Sequence, residues 1–358
     1  MIDESTLELI KKIAPGTAIR EGLENILRAK TGALIVIGET ESVSKIIDGG
    51  FEINQEYNPA KIYELAKMDG AIILSKDLKR ILKANVELVP DYKVKTSETG
   101  TRHKSAERVA KQTGALVICI SQRRGVITLF KDDIRYVIDE PDTVITRANQ
   151  ALEALEKYKT VLDYTISNLN EQEIDDMVTL DVVTNAIYRS EVVIRMEEEV
   201  KRNIIELGVE GNLIEIQLKQ LMQGVEQEEK KIIEDYMIYK NKKREEKANN
   251  ILSVLRKLSL SELLSGEKVT KALGYKMEPN ILDEMVSTKG YRILSKIPKM
   301  PISIIDNLVD AFYTLQGVCS ATVIELDEVE GIGEARAKLI NQTLRKLQEQ
   351  YLIKGYKI

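Results

Sequence analysis

The chain has 358 residues, of which 43% are hydrophobic and 30% charged, and its formal net charge is -5 at pH 7. This length predicts two or three domains, and no stretch reaches the ~18 uninterrupted apolar residues that a membrane span requires. One histidine and two cysteines exclude a zinc site with several histidines, a disulfide framework, and a serine-histidine-aspartate triad away from residue 103.

The amino-terminal residues predict the compartment. The sequence begins Met1-Ile2-Asp3-Glu4-Ser5, without the basic and apolar segments of a secretory signal. We therefore expect a cytoplasmic protein. Because the net charge is negative, contact with nucleic acid would have to be local.

The first 140 residues repeat one design three times: an amphipathic helix, a glycine, a small residue and a short apolar run. The predicted helices span residues 19–30, 60–68 and 105–112, and each glycine (Gly32, Gly70, Gly114) suits the left-handed position after its helix. The apolar runs end at residues 37, 74 and 118, and each is typical of a strand covered on both faces. With further strands over 126–130 and 135–138, residues 1–142 are predicted to form an α/β domain with a mixed central sheet flanked by helices.

Long charged helical patterns replace the strands after residue 142, which predicts an all-α helical spine over 143–288. We interpret these helices as a core that connects the two ends of the chain. The segment contains a basic cluster: Lys240, Lys242, Lys243, Arg244 and Lys247. Because Glu245 and Glu246 interrupt it, the cluster indicates a solvated helix face rather than a binding patch.

Residues 99–108 combine glycine, hydroxyl and cationic side chains around the single histidine, His103. Such a mixture favours a polyphosphate, because helix amides, hydroxyls and cations all stabilise anionic oxygens. The alternative is a capped helix start with solvated charges. Residues 99–108 alone do not distinguish a polyphosphate site from a capped helix start, so the other motifs of the chain are needed.

The C-terminal sequence resembles a helix-hairpin-helix element, in which two helices flank the tight turn Gly331-Ile332-Gly333. Residues 294–305 look like a degenerate first copy, with prolines in place of the glycines, so residues 289–358 are predicted to form a tandem helix-hairpin-helix domain. Exposed amides beside a helix start bind DNA phosphates without reading bases. The predicted DNA-binding residues are Gly331, Ile332, Gly333, Arg336 and Lys338. The alternative is a hairpin that binds protein or serves structure alone.

The N-terminal motifs resemble the diadenylate cyclase family. Asp69-Gly70-Ala71 is followed about thirty residues later by Gly100-Thr101-Arg102-His103. Residues 85–91 between them also fit, and Leu88 corresponds to the leucine that lines the adenine pocket in the family. The resemblance covers the full chain, because the order of cyclase domain, spine and tail matches as well. It implies that two ATP molecules form cyclic di-AMP and two pyrophosphates with Mg²⁺ or Mn²⁺.

The resemblance also implies roles for individual residues. Asp69 would hold the metal, together with substrate phosphates, or attract the proton of the attacking ribose hydroxyl. We assign catalysis to Asp69, His103 and Arg102. The remaining ATP-binding candidates are Gly70, Ala71, Leu88, Thr101, Lys104, Ser105, Arg108, Ser121 and Arg123, alongside Arg102 and His103.

One position pair departs from the family pattern, which usually reads Arg-His-Arg-Thr. Here Lys104 and Ser105 replace the second arginine and the threonine. Lysine keeps the charge but loses the planar fork, so Lys104 should act on phosphate as a point charge. His103 could act as an acid or base, or only as a phosphate ligand.

A cyclic dinucleotide has two identical linkages, whereas one chain carries one copy of each motif. We therefore expect two protomers to face each other about a twofold axis. The resemblance implies a nucleoid-associated octamer in which branched or recombining DNA, bound without sequence preference, regulates the cyclase as a DNA integrity checkpoint. The competing hypothesis is a non-enzymatic DNA-binding scaffold whose N-terminal domain senses a nucleotide.

Overall fold

The computed structural model describes residues 4–239 and 244–355. The chain forms two compact units, one of Met1–Gln150 with Val200–Ile216 and the other of Ala151–Glu199 with Gln217–Ile358. None of the described helices is both long enough and apolar enough to cross a lipid bilayer.

The first unit is built on an eight-stranded sheet. The strands are β1 (Ala33–Ile37), β2 (Ile47–Asp48), β3 (Phe51–Glu56), β4 (Ala71–Leu74), β5 (Arg80–Leu88), β6 (Leu116–Ser121), β7 (Val126–Lys131) and β8 (Ile134–Ile138). Their order is β2-β5-β4-β1-β6-β7-β8, and β3 also pairs with β5. Only the pairing of β1 with β4 is parallel among the described strand pairs, so the prediction of a mixed sheet is confirmed.

Helices cover both faces of this sheet. They are α1 (Glu4–Lys12), α2 (Ala18–Arg28), α3 (Glu41–Ser44), α4 (Pro59–Leu65) and α5 (Thr101–Thr113). Ile35 of β1 belongs to the same buried cluster as Leu23 of α2 and Ile62 of α4. Its neighbour Val36 belongs to the opposite cluster, with Val109 of α5. Successive strand residues point to opposite faces, so a strand buried on both faces is apolar throughout.

The ends of two helices differ from the prediction. Gly32 does not take the left-handed conformation after α2; Lys30 does, with φ 55°. Helix α5 begins at Thr101, four residues before the predicted start, because Gly100 in an extended conformation (φ -82°, ψ 141°) serves as its N-cap. The hydroxyl and cationic residues expected to precede the helix therefore form its first turns.

The second unit is helical. The further helices are α6 (Pro141–Ile174), α7 (Leu180–Leu207), α8 (Asn212–Met222), α9 (Val225–Tyr236), α10 (Arg244–Leu255), α11 (Leu260–Leu264), α12 (Glu267–Leu273), α13 (Tyr291–Leu294), α14 (Ile302–Phe312), α15 (Leu315–Ser320), α16 (Val323–Asp327) and α17 (Glu334–Gly355). Of these, α6, α7 and α8 contribute residues to both units. A short 3₁₀ segment lies at Gly208–Gly211 in the first unit and another at Ile281–Asp283 in the second.

The basic cluster of the predicted spine is only partly described. Lys240, Lys242 and Lys243 lie outside the described residues. Arg244 forms an ion pair with Asp306 and lies over the Tyr291 ring, with 4.1 Å from its guanidinium carbon to the ring centroid. Its guanidinium is thus committed to contacts inside the second unit rather than to solvent.

A buried arginine joins several helices of the second unit. The Arg292 side chain of α13 is 0% exposed and forms ion pairs with Glu173 of α6 and with Glu228 of α9, the latter at 3.1 Å. The Asp235 carboxylate accepts the backbone amides of Tyr291 at 2.6 Å and of Arg292 at 3.1 Å. Removing one member of such a network leaves uncompensated buried charge.

We expect Arg292→Met to destabilise the second unit by about 3–5 kcal/mol, because Glu173 would lose its buried counter-ion. Urea unfolding of the full chain measures the change. Lys157→Ala is the control, since it removes the exposed ion pair with Glu153 and should leave the unfolding midpoint unchanged. An Arg292→Met midpoint equal to that of the control would contradict this assignment.

Candidate functional site

A sharp turn places Asp69 at the start of β4. Gly70 has φ +88°, and a Cβ there would lie 2.8 Å from the Val86 carbonyl oxygen and 2.9 Å from the Asn85 carbonyl carbon. No other residue fits this close backbone approach without movement. The turn is therefore pressed against β5, and Asp69 is exposed at its tip.

The first turn of α5 supplies a second group of polar atoms. No side chain caps this 13-residue helix, because its N-cap is Gly100. The first amides of a helix have no partner within the helix, so they are available to an anion. Thr101 and Ser105 lie one turn apart and so share a face of the helix.

These two elements line one cleft of about 810 Å³. The structure brings together seven residues of the predicted site there: Asp69, Gly70, Ala71, Leu88, Thr101, Arg102 and Ser105. Seven residues that were not predicted from the sequence also line this cleft: Leu34, Asp48, Gly49, Gly50, Asn85, Val86 and Glu87. The Gly49-Gly50 pair between β2 and β3 is a turn signal that could have indicated part of this wall.

Arg102 is positioned by the absence of a side chain at Gly32. A Cβ on Gly32 would collide with the Arg102 guanidinium and would lie 3.1 Å from the Ile120 carbonyl oxygen. The glycine that was predicted to end α2 therefore opens a passage for the arginine. The requirement for glycine at that position is therefore steric and unrelated to backbone conformation.

The segment before α5 is fixed along the helix by a buried carboxylate. Glu107 accepts hydrogen bonds from Thr96 Oγ1 at 2.6 Å and from the Ser97 amide at 3.0 Å, and it pairs with Lys111 at 2.9 Å. Burial raises the pKa of Glu107, but hydrogen bonds from Thr96 and Lys111 outweigh that effect and lower the pKa to about 2. Glu107 is therefore charged at neutral pH.

His103 lies beside the cleft but is not among the residues that line it. Its ring packs edge-on against Phe130, with 6.2 Å between the ring centroids. Burial lowers the pKa of His103; Glu98 opposes this shift, while Arg124, Arg135 and Arg102 add to it. The positive charge of the α5 start therefore comes from Arg102 and Lys104 rather than from the imidazole.

Four other candidates also lie away from the cleft wall as described. Arg108 donates from Nε to the Val94 carbonyl oxygen at 3.0 Å, and Ser121 Oγ accepts the Arg124 amide at 3.2 Å. Lys104 is half-buried on α5, and Arg123 is exposed on the turn between β6 and β7. Their role in nucleotide binding stays a prediction.

The carboxylates of the cleft constrain any metal site. Asp48, Asp69 and Glu87 line the cleft, yet no group of three metal-ligating side chains comes together among residues 4–239 and 244–355. Mg²⁺ in phosphate-transfer sites is commonly held by one or two carboxylates plus substrate phosphates. The residues thus fit a divalent cation that takes most of its ligands from a bound nucleotide.

In the C-terminal turn Gly331-Ile332-Gly333, the isoleucine is buried and the two glycines are exposed. Gly331 has φ +82°, whereas Ile332 is 6% exposed and its amide donates to the Val329 carbonyl oxygen at 3.0 Å. The prediction that Ile332 contacts DNA therefore needs correction: both its side chain and its amide are used inside the fold. Arg336 donates to the Gly331 carbonyl, and exposed Lys338 pairs with Glu334 at 2.5 Å.

The turn before α14 repeats the turn before α17 at an offset of 32 residues. The Ile304 and Ile305 amides donate to the Pro301 carbonyl at 3.0 and 3.2 Å, as the Arg336 and Ala337 amides donate to Gly333 at 2.8 and 3.0 Å. Lys299, the counterpart of Gly331, is also left-handed, with φ 59°. The two segments thus share one backbone design despite their different sequences.

Comparison with known proteins gives the family. A family model described as DisA bacterial checkpoint controller nucleotide-binding matches residues 20–134, and one described as DisA bacterial checkpoint controller linker region matches residues 138–282. Among solved structures, DacA from Staphylococcus aureus is 20% identical over 38% of this chain and 91% of that chain, with a TM-score of 0.30. That score is too low to support a structural inference.

Curated relatives match over nearly the whole length. The DNA integrity scanning protein DisA of Carboxydothermus hydrogenoformans is 53% identical, over 98% of this chain and 99% of its own. The protein of the same name from Acetivibrio thermocellus is 51% identical, over 99% of this chain and 98% of its own. The resemblance seen in the sequence is confirmed, and the chain belongs to the DisA family of DNA integrity scanning proteins.

Proposed function

We propose that the chain is a diadenylate cyclase, a nucleotidyltransferase that converts two ATP molecules into cyclic di-AMP and two pyrophosphates. The observation that carries the proposal is the cleft in which the Asp69-Gly70 turn and the uncapped start of α5 line common walls. One element offers a carboxylate, and the other offers amides, hydroxyls and Arg102. Phosphoryl transfer needs this pairing of positioning and charge stabilisation.

Different residues of the cleft have different roles in the proposed reaction. The 3′-oxygen of one ribose attacks the α-phosphorus of the other ATP, and the bond from that phosphorus to the bridging oxygen breaks, with the electron pair leaving on pyrophosphate. Thr101, Ser105 and the first amides of α5 bind the triphosphate, and Arg102 stabilises the charge that develops. Asp69 attracts the proton of the 3′-hydroxyl or holds a divalent cation. Mg²⁺ or Mn²⁺, when bound, neutralises phosphate charge.

We further propose that two copies face each other across their clefts, within the octamer implied by the family. Three exposed apolar residues adjoin cleft residues in sequence: Phe51 follows Gly50, Met68 precedes Asp69, and Val89 follows Leu88. Exposed apolar surface marks protein interaction sites, and we call these three residues the apolar rim. A facing copy would bury this rim and bring a second nucleotide to the first.

The tail is proposed to bind branched DNA as a tandem helix-hairpin-helix domain and thereby to regulate the cyclase. The Gly331 and Gly333 turn and the start of α17 support this, together with the repeated turn before α14. Backbone amides at helix starts contact phosphates and carry no sequence information. Binding of this kind is weak, sensitive to salt and indifferent to base sequence.

Asp69→Asn should lower the rate of cyclic di-AMP formation by a factor of about 10² or more, because the amide cannot accept the hydroxyl proton. ATP should still bind. Chromatography of the products after incubation with ATP and Mg²⁺ measures the rate. The control is Asp133→Asn, which changes a carboxylate that is 96% exposed outside the cleft. Product formation by Asp69→Asn at the wild-type rate would refute the role of Asp69, and its absence from the unmodified chain would favour the scaffold hypothesis.

Phe51→Glu should separate the facing copies and stop cyclisation, since it places charge in the apolar rim, while each copy keeps its nucleotide affinity. Sedimentation velocity and product assays test the two effects together. Leu264→Glu is the matched control, because Leu264 is comparably exposed in the second unit, at 64% against 56% for Phe51. Wild-type assembly and activity in Phe51→Glu would place the interface elsewhere.

Gly333→Val should weaken DNA binding about 10-fold, the value of one charge-assisted hydrogen bond, by blocking the approach of a phosphate to the amides. A Cβ at Gly333 meets nothing within 4 Å, and the backbone there is not left-handed, so the fold should tolerate valine. Gly331→Val carries backbone strain in addition. Fluorescence anisotropy with a four-way junction at low salt provides the affinity, and basal cyclase activity serves as the control. Equal affinity in the Gly333→Val variant and the unmodified chain would exclude this contact.

A further inference from the structure

Asn85 has an unusual backbone conformation in the middle of β5. Its φ is 54°, and the pairing of β4 with β5 shifts register between Ala71 and Ile73, beside it. Few residues other than glycine adopt a left-handed conformation, and asparagine is among those that tolerate it best. Such strain persists only where surrounding contacts enforce it, and it is concentrated at ligand sites.

The contact that enforces this conformation is with the Asp69-Gly70 turn. A Cβ on Gly70 would lie 2.9 Å from both the Asn85 carbonyl carbon and the Val86 amide nitrogen. The two backbones are therefore packed together without an intervening side chain. Asn85 is held beside the carboxylate-bearing turn of the cleft.

The Asn85 side chain has an unused amide. It is half-buried and lines the cleft, yet among the described residues it forms no side-chain hydrogen bond. A primary amide offers one acceptor oxygen and two donor hydrogens, and here these face the cleft. A ligand that presents a donor and an acceptor side by side would satisfy it.

The polarity of the cleft identifies which part of a nucleotide lies there. Cationic and hydroxyl side chains come from α5, with Arg102, Thr101 and Ser105. Asn85 instead shares β5 with Val86 and Leu88, and Leu34 adds a further apolar surface to the cleft wall. A flat aromatic base fits such apolar walls, and a polar group at their edge determines orientation and specificity.

We propose that Asn85 is a specificity-determining residue that distinguishes adenine from guanine. Its Oδ1 accepts a hydrogen bond from the N6 amino group and its Nδ2 donates to N7, the pairing by which asparagine reads adenine. Guanine presents the acceptor O6 where adenine presents the N6 donor, so the same amide would face two acceptors. The proposal rests on the proposed function, because it takes ATP as the ligand of the cleft.

Two substitutions distinguish the contribution of the Asn85 side-chain amide from that of its left-handed backbone. Asn85→Gly deletes the amide while keeping a residue that adopts positive φ without strain. Asn85→Asp keeps the shape but leaves only acceptors, so it can still accept from adenine N6 but loses the donor to N7, and in guanine it faces two acceptors, O6 and N7. Asn280→Gly is the matched control, because Asn280 is also left-handed, with φ 62°, and lies exposed in the second unit.

The measurement is calorimetric titration of the full chain with 3′-deoxy-ATP and 3′-deoxy-GTP in the presence of Mg²⁺. Neither nucleotide carries the attacking hydroxyl, so binding is read without turnover. We expect Asn85→Gly to lose about 10-fold in affinity for the adenine nucleotide with little change for the guanine nucleotide. We expect Asn85→Asp to weaken binding of the adenine nucleotide without any gain in affinity for the guanine nucleotide, and Asn280→Gly to behave as the unmodified chain.

Equal weakening of both nucleotides in Asn85→Gly would overturn the proposal and assign the amide to the ribose, which the two share. Unchanged affinity for both, or an unchanged affinity of Asn85→Asp for the adenine nucleotide, would also overturn it. Cyclic di-AMP formation by the unmodified chain is assayed in parallel. Failure of the proposed function would show as missing product, whereas failure of the Asn85 assignment would show as unaltered selectivity.

Discussion

The buried carboxylate of Glu107 is the interaction on which the geometry of the nucleotide cleft depends. It holds Thr96 and Ser97 against the middle of α5, so the chain reaches Gly100 in one fixed position. Because Gly100 is the residue at which α5 begins, the same contact fixes the direction in which the first amides point. A charged group outside the cleft thus determines where charge can be bound within it.

The opposite wall of the cleft is fixed by a different device. There the backbone of the Asp69-Gly70 turn packs directly on the bulge of β5, and the absence of a side chain at Gly70 permits the contact. One wall is therefore positioned by hydrogen bonds to a carboxylate, and the other by backbone packing. Neither wall is positioned by long flexible side chains, which suits the transfer reaction proposed for this cleft, since such a reaction needs its reacting atoms held in line.

Much of the sheet could be predicted from the sequence because β1, β4 and β6 are covered on both faces and therefore consist of continuous apolar runs. Strand β3, Phe51–Glu56, was missed because it is mainly polar and largely exposed. Strand β5 was missed because Lys83 and Asn85 interrupt its alternation at the irregular pairing. Local patterns do not reveal a strand whose regularity is broken for a tertiary contact.

The site was predictable to the extent that its residues lie in short motifs. Asp69 and Arg102 were assigned from sequence, and both line the cleft. Asp48 and Asn85 were not assigned, since strand pairing rather than sequence proximity brings them there. In the tail, by contrast, a residue was assigned that does not belong to the surface. Ile332 was predicted to bind DNA because it lies inside the glycine motif, yet its side chain is buried in the core.

The uncapped start of α5 has a consequence for folding as well as for binding. A helix that begins at glycine lacks the side-chain acceptor that usually satisfies its first amides, and this lowers the stability of its first turn. A phosphate group bound there would take the place of the missing cap, so the free energy of folding would increase with nucleotide concentration. If the proposed function holds, the substrate would in that sense be a structural component of its own binding domain, and the folded population of the domain would be linked to the supply of ATP.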